Sequence, residues 1–187
     1  MIIEENKLFF IHIPKTAGTS IERSINGDLP LWGRHFTFNK FLERNHSPQK
    51  YFIFTVVRNP WDRIYSCFMW SKMLKKQGSF WCESFDDYLL YVESYHSGGL
   101  EMNYLLEDFN WWTGGLDNLD LVIRYEELDQ GIKKLSSILG FDISMPHLNR
   151  NPDKDPSVLY REYYSREGAE IISRKYSEEI KLFGYSF

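Results

Sequence analysis

The chain has 187 residues, 43% hydrophobic and 26% charged, proportions that suit a globular domain with a real core and argue against disorder as the main state. The net charge of −4 excludes a general nucleic-acid surface, so any anion site must be a local cluster of cations. Cys67 and Cys82 stand outside any C-x-x-C pattern; two thiols cannot build a metal site alone, and they read as buried free thiols in a reducing compartment.

The chain starts MIIEENKLFFIHI. Two acids follow the short apolar start, with no signal-peptide core. No stretch approaches the ~18 apolar residues of a membrane span. The expectation is a soluble, cytoplasmic protein. Residues 7–13 (KLFFIHI) form an apolar, aromatic run that stops at Pro14, as a buried strand does. A turn of small residues follows, and Thr19 and Glu22 have capping-box spacing, which predicts a helix from about Thr19. Residues 51–57 (YFIFTVV) are continuous, aromatic and β-branched, the pattern of a strand covered on both faces. After Arg58 come an N-cap Asn59, Pro60 and the acid Asp62, so a helix is predicted over residues 60–76.

Ser84 starts another helix by the same logic. Residues 119–124 (LDLVIR) are a third strand, and residues 126–139 a helix that Gly140 ends. Residues 145–149 are a loop, and 150–156 a polar stretch with prolines at 152 and 156. A last helix is predicted from about Ser165 to Lys181, closed near Gly184. The repeated order strand, loop, helix predicts an α/β fold, a three-layer parallel sheet flanked by helices. No repeat, low-complexity tract or linker divides the chain, so residues 1–187 are expected to form a single domain.

Ligands in open parallel sheets sit at the carboxyl ends of the strands, and two strand ends here carry unusual residues. The first is Pro14-Lys15-Thr16-Ala17-Gly18-Thr19-Ser20. A small-residue loop entering a helix offers backbone N–H groups and a positive dipole end. Lys15 adds a mobile cation, and Thr16, Thr19 and Ser20 add hydroxyl donors. The second is Arg58-Asn59-Pro60-Trp61-Asp62-Arg63-Ile64-Tyr65-Ser66. Ser66 shares a helix face with Asp62, and a guanidinium fork plus a hydroxyl suits a second phosphate. The plain alternatives are an ordinary strand–helix turn with a solvated Lys15, and a capped helix with a surface arginine. The first loop also differs from the G-x-x-x-x-G-K-[ST] loop of kinases. Its lysine comes first, and no evident strand-end acid stands ready for Mg²⁺.

These residues carry a resemblance. Ile11-His12-Ile13-Pro14-Lys15-Thr16-Ala17-Gly18-Thr19-Ser20 resembles the 5′-phosphosulfate loop of sulfotransferases that use PAPS (3′-phosphoadenylyl sulfate). The nearest branch holds the carbohydrate O-sulfotransferases of the heparan 2-O type and their bacterial relatives. Val57-Arg58-Asn59-Pro60-Trp61-Asp62-Arg63-Ile64-Tyr65-Ser66 resembles that family's 3′-phosphate motif. Val122-Ile123-Arg124-Tyr125-Glu126-Glu127-Leu128, Pro146-His147-Leu148-Asn149 and Leu182-Phe183-Gly184-Tyr185 are similar to its later segments. The resemblance implies a P-loop-like sulfotransferase fold, PAPS as donor with PAP as product, no metal, and a small-molecule or carbohydrate acceptor. Lys15 would contact the phosphosulfate and steady the bridging oxygen. Thr16, Ala17, Gly18, Thr19 and Ser20 would line the 5′-phosphate site, while Arg58 and Ser66 would bind the 3′-phosphate.

The acceptor hydroxyl needs a base, a proton transfer worth ~10²–10⁴ in rate. Related enzymes place a histidine in a Gly–His–Thr segment, and here Gly33-Arg34-His35-Phe36-Thr37 makes His35 the choice. His12, on the first strand, reads as a hydrogen-bonded buried imidazole, His147 as support for the nucleotide pocket or its loop, and His46 and His96 as surface residues. Other features stay open. Trp70, Lys72, Lys75, Lys76, Phe80 and Trp81 could receive an anionic acceptor or form a solvated amphipathic face. Trp111 and Trp112 could stack on a sugar, though core packing explains them too. Glu126 and Glu127 suit a first helical turn. Lys154 and Arg150 could reach the nucleotide. Two other functions share the scaffold: a P-loop-type nucleotide kinase, and a non-catalytic nucleotide-binding protein.

Overall fold

The computed structural model describes residues 1–27, 35–44, 46–75, 82–96, 104–145 and 159–187. Lys76, Phe80, Trp81, His147, Arg150, Lys154 and the segments around them lie outside the described residues. In chain order the elements are β1 (Ile2–Ile3), β2 (Leu8–Ile11), α1 (Gly18–Asn26), α2 (Phe38–Glu43), β3 (Phe52–Val57), α3 (Pro60–Lys75), α4 (Phe85–Ser94), α5 (Phe109–Thr113), β4 (Leu121–Arg124), α6 (Leu128–Leu139), α7 (Arg166–Lys175) and α8 (Ser177–Phe183). They fall into two compact units, Met1–Arg58 with Phe109–Asn149, and Asn59–Asp108 with Arg150–Phe187.

The first unit holds a four-stranded sheet in the order β1-β2-β3-β4. β2, β3 and β4 run parallel, with Leu8 opposite Phe52 and Val57 opposite Arg124. The fully parallel expectation needs one correction: β1 pairs antiparallel with β2. Only a short turn over residues 4–7 separates them, and such a link reverses the chain, whereas a parallel pair needs a long crossover. Alternation sends Phe10, Phe54, Val56 and Ile123 to one face, where Ile21 of α1 and Ile132 and Leu135 of α6 bury them. On the other face Phe9 stacks on Phe41 of α2, with ring centroids 4.4 Å apart. Helices therefore flank the sheet on both sides, as an α/β fold requires.

α2 and α5 lie where no helix was expected. Thr37 caps α2 by accepting from the Lys40 N–H at 3.2 Å, and Phe38 and Phe41 are its buried pair. α6 ends as expected, at a left-handed Gly140 (φ 75°).

The second unit is helical. Asn59 Oδ1 accepts from the Trp61 N–H at 3.1 Å and starts α3. Ser84 and Ser165 cap α4 and α7 in the same manner. α4 and α7 approach closely at Gly168, where a Cβ would stand 2.6 Å from Leu89 Cδ1. The single tail helix is corrected to two, broken at Tyr176. That ring is buried, its hydroxyl donates to the Leu106 carbonyl at 2.8 Å, and the Arg63 guanidinium lies 5.1 Å from the ring centroid. Drawing Tyr176 inward redirects the chain there. The left-handed Gly184 then closes α8.

Candidate functional site

The loop from β2 to α1 is strained at two non-glycine positions. Lys15 and Ala17 both adopt left-handed backbone, with φ of 69° and 64°, on either side of Thr16. Left-handed conformation costs roughly 1–2 kcal/mol for an L-residue, so neighbouring groups must hold it. Thr16 is fully buried and its hydroxyl donates to the Ile13 carbonyl at 2.7 Å. The Ala17 carbonyl accepts from Ser20 N–H (3.0 Å) and Ile21 N–H (3.2 Å). Arg58 Nη1 donates to the Lys15 carbonyl at 2.8 Å. Positive φ at Lys15 and Ala17, with Thr16 between them, is the kind of turn that can direct successive N–H groups to one side, where they suit an anion. α1 adds its own N-terminal N–H groups and dipole.

α1 begins at Gly18 with Ala17 as its N-cap and no side-chain cap. The expected capping box of Thr19 and Glu22 is therefore absent, because the Glu22 carboxylate is turned inward. Glu22 is fully buried and its Oε1 lies 2.9 Å from His12 Nδ1. Gly18 stands one turn earlier on the same face. A Cβ there would be 2.0 Å from His12 Cδ2 and 2.2 Å from Nε2, so only glycine lets the first turn of α1 lie against the imidazole. Sequence reasoning missed Glu22 as a partner for His12. The i,i+4 pair Gly18 and Glu22 was the available signal.

Arg58 is buried and brings three strand ends together. It leaves β3, holds the loop after β2 through Lys15, and lies 4.1 Å from the centroid of Tyr125, the residue after β4. Lys15, Ala17 and Thr19 are half-buried, while Gly18 and Ser20 are buried.

His35 joins the same unit. It is half-buried, has left-handed backbone (φ 58°), and its Nδ1 lies 3.3 Å from the His12 carbonyl oxygen. A carbonyl only accepts, so Nδ1 carries the proton and Nε2 holds the lone pair of the neutral ring. The His35 and His12 rings are 4.5 Å apart and tilted by 35°, and Trp112 is buried 6.2 Å from His35.

Of the second motif, Ser66 is half-buried on α3 in the helical unit. Arg58 is not the surface arginine of the plain alternative, being buried, and Arg63 is 1% exposed and donates from Nη1 to the Leu105 carbonyl (3.0 Å) and from Nη2 to the Glu107 carbonyl (3.2 Å). Trp61 donates through Nε1 to the Ala169 carbonyl at 2.9 Å. Tyr65 stacks on Tyr163 at 4.5 Å, and burial, with a side-chain hydrogen bond to Tyr163, pushes its hydroxyl pKa well up.

Among the described residues no cluster of His, Cys, Asp or Glu is grouped to hold a metal ion, and no helix is long and apolar enough to cross a membrane. A model of the sulfotransferase family matches residues 1–186 of the chain. No curated protein matches it.

Proposed function

Because this chain belongs to the sulfotransferase family, we propose that it transfers a sulfuryl group from PAPS to an acceptor hydroxyl, with carbohydrate as the favoured acceptor class. The observation that carries the reading is the left-handed pair Lys15 and Ala17 at the mouth of α1, pinned by Arg58 through the Lys15 carbonyl. A strained loop over-determined by its neighbours is a device for meeting a ligand. The loop is thus P-loop-like in purpose, with its lysine placed ahead of the turn.

The residues fit a phosphosulfate. The missing side chain at Gly18 lets the first turn of α1 seat against the His12 ring. The N–H groups of residues 16–19 would hold the 5′-phosphate, with Thr19 and Ser20 adding hydroxyls. Thr16 contributes main chain, since its hydroxyl proton already goes to Ile13. PAPS supplies an activated sulfuryl group whose departure leaves negative charge on the bridging oxygen. Lys15 and the positive end of α1 would stabilise that charge, the kind of preorganised electrostatics that is worth most as charge develops. His35 Nε2 would take the acceptor proton, while its Nδ1–H bond to His12 fixes the tautomer. The motif resemblance assigns Arg58 and Ser66 to the 3′-phosphate.

The test is calorimetric titration with PAP, with adenosine 5′-phosphate, and with ATP plus Mg²⁺. Metal-independent PAP binding, about tenfold or more tighter than adenosine 5′-phosphate, is expected from a charge-assisted contact to the 3′-phosphate. Preference for Mg²⁺–ATP would move the protein to nucleotide kinase chemistry, and binding of no nucleotide would sink the enzyme reading.

A further inference from the structure

The buried pair His12 and Glu22 has no part in the chemistry above, yet it lies beside the donor loop. The two side chains are 5% and 0% exposed. Burying a carboxylate against an imidazole is expensive, and an apolar pair of similar volume often gives equal or greater stability. A polar pair does supply a single orientation. Glu22 Oε1 accepts the Nδ1–H of His12 at 2.9 Å. Phe10 stacks on the ring at 5.6 Å and 9°. The opposite ring edge, Cδ2–Nε2, faces Gly18 so closely that a Cβ there would overlap it. The imidazole is therefore held from three directions, and the first turn of α1 is seated on it. The main chain of the same residue accepts from His35 Nδ1.

We infer that His12 and Glu22 are positioning residues for the donor site: Glu22 fixes the His12 ring, and the ring sets where the opening turn of α1 presents its N–H groups. This rests on the PAPS reading and deepens it. Neither side chain touches the reacting atoms. They act through the backbone at Gly18.

Five variants test the idea: Glu22→Leu, Glu22→Gln, His12→Asn, Gly18→Ala and the His12→Asn/Gly18→Ala double. Each is examined by PAP calorimetry, thermal melting, and separate KM for PAPS and kcat. Glu22→Leu leaves the buried Nδ1–H of His12 unpaired, so it is expected to melt lower than wild type and, where folded, to bind PAP about tenfold more weakly, with the loss appearing in KM for PAPS rather than in kcat. Glu22→Gln keeps an acceptor for Nδ1–H and restores binding. Gly18→Ala weakens PAP by at least as much, because its Cβ must push off the ring. In the His12→Asn background that same Gly18→Ala change costs nothing further, the non-additivity expected of groups in contact.

Folded Glu22→Leu that binds PAP as wild type does would overturn the proposal while leaving the PAPS reading intact. If Glu22→Leu fails to fold, the double variant decides: additive losses overturn the proposal, and absorbed losses support it. Wild-type protein that binds no PAP overturns both readings together.

Discussion

Residues 14–20 and residues 59–66 each follow a parallel strand and each lead into a helix, yet they use their polar groups differently. In the first stretch Lys15 and Ala17 take left-handed backbone, and the buried hydroxyl of Thr16 and the Nη1 of Arg58 serve to keep it there. In the second no residue has positive φ. Its polar groups instead build the helical unit: Asn59 caps α3, Trp61 donates to Ala169, and Arg63 donates to the carbonyls of Leu105 and Glu107. One stretch stores strain where a ligand would be met, and the other satisfies backbone groups that burial would otherwise orphan. Substitutions at Asn59, Trp61 and Arg63 should therefore act on stability, and those at Lys15 on binding and rate.

The largest expected effect is at Arg63. Arg63→Ala leaves the Leu105 and Glu107 carbonyls without their donors and opens a cavity at a fully buried position. A loss of about 3–5 kcal/mol is expected, comparable to breaking a buried charged contact. Urea unfolding followed by circular dichroism measures it. A midpoint that stays put would erase the contrast between the two stretches. Lys15→Ala is the counterpart: sulfuryl transfer should fall about 10²–10³-fold, as when one charge-stabilising donor is removed, with melting nearly unchanged because Lys15 is half-buried.

Much of this contrast was legible in the sequence. β3 is plain in FIFTVV, and Asn59-Pro60 marked the start of α3, because uninterrupted β-branched runs and helix caps are local signals. The turn between β2 and α1 was legible by composition and position. What the sequence hid depends on partners distant along the chain. Glu22 has the spacing of a capping box, but His12, ten residues away, claims its carboxylate. Tyr176 sits mid-pattern in an amphipathic tail, and its break appears only once Arg63 and the Leu106 carbonyl are in place. The burial of Arg63 could not be read from charge alone, since an arginine in a helix is ordinarily at the surface.

Arg58 adjoins both stretches in sequence and sharpens the comparison. It holds the Lys15 carbonyl and lies over Tyr125, and it is the residue assigned to the 3′-phosphate. If only the phosphate role mattered, Arg58→Lys would lower PAP affinity and leave adenosine 5′-phosphate unaffected. The loop clamp adds a second effect, because lysine cannot reproduce a planar fork that also stacks on a ring. Calorimetry should show both nucleotides weakened, adenosine 5′-phosphate by about tenfold and PAP by more, as expected for losing hydrogen bonds to charged groups. Unchanged adenosine 5′-phosphate binding would remove the clamp from the account.

The smallest effect is at Ala17, and it tests the strain itself. At φ 64° an alanine bears the left-handed penalty of roughly 1–2 kcal/mol. Ala17→Gly relieves it but frees the unfolded chain, which offsets about 0.4–1 kcal/mol. The balance favours the variant by about 0.5–1 kcal/mol, a rise in Tm of about 2 °C for a chain of this size. The loop geometry is already the one glycine prefers, so PAP affinity should stay within about twofold, the span of a few tenths of a kcal/mol. A fall in Tm would mean that the left-handed turn is not under strain at Ala17. A clear loss of PAP affinity with a raised Tm would mean that the alanine stiffens the loop, so that the strain serves binding at the expense of stability.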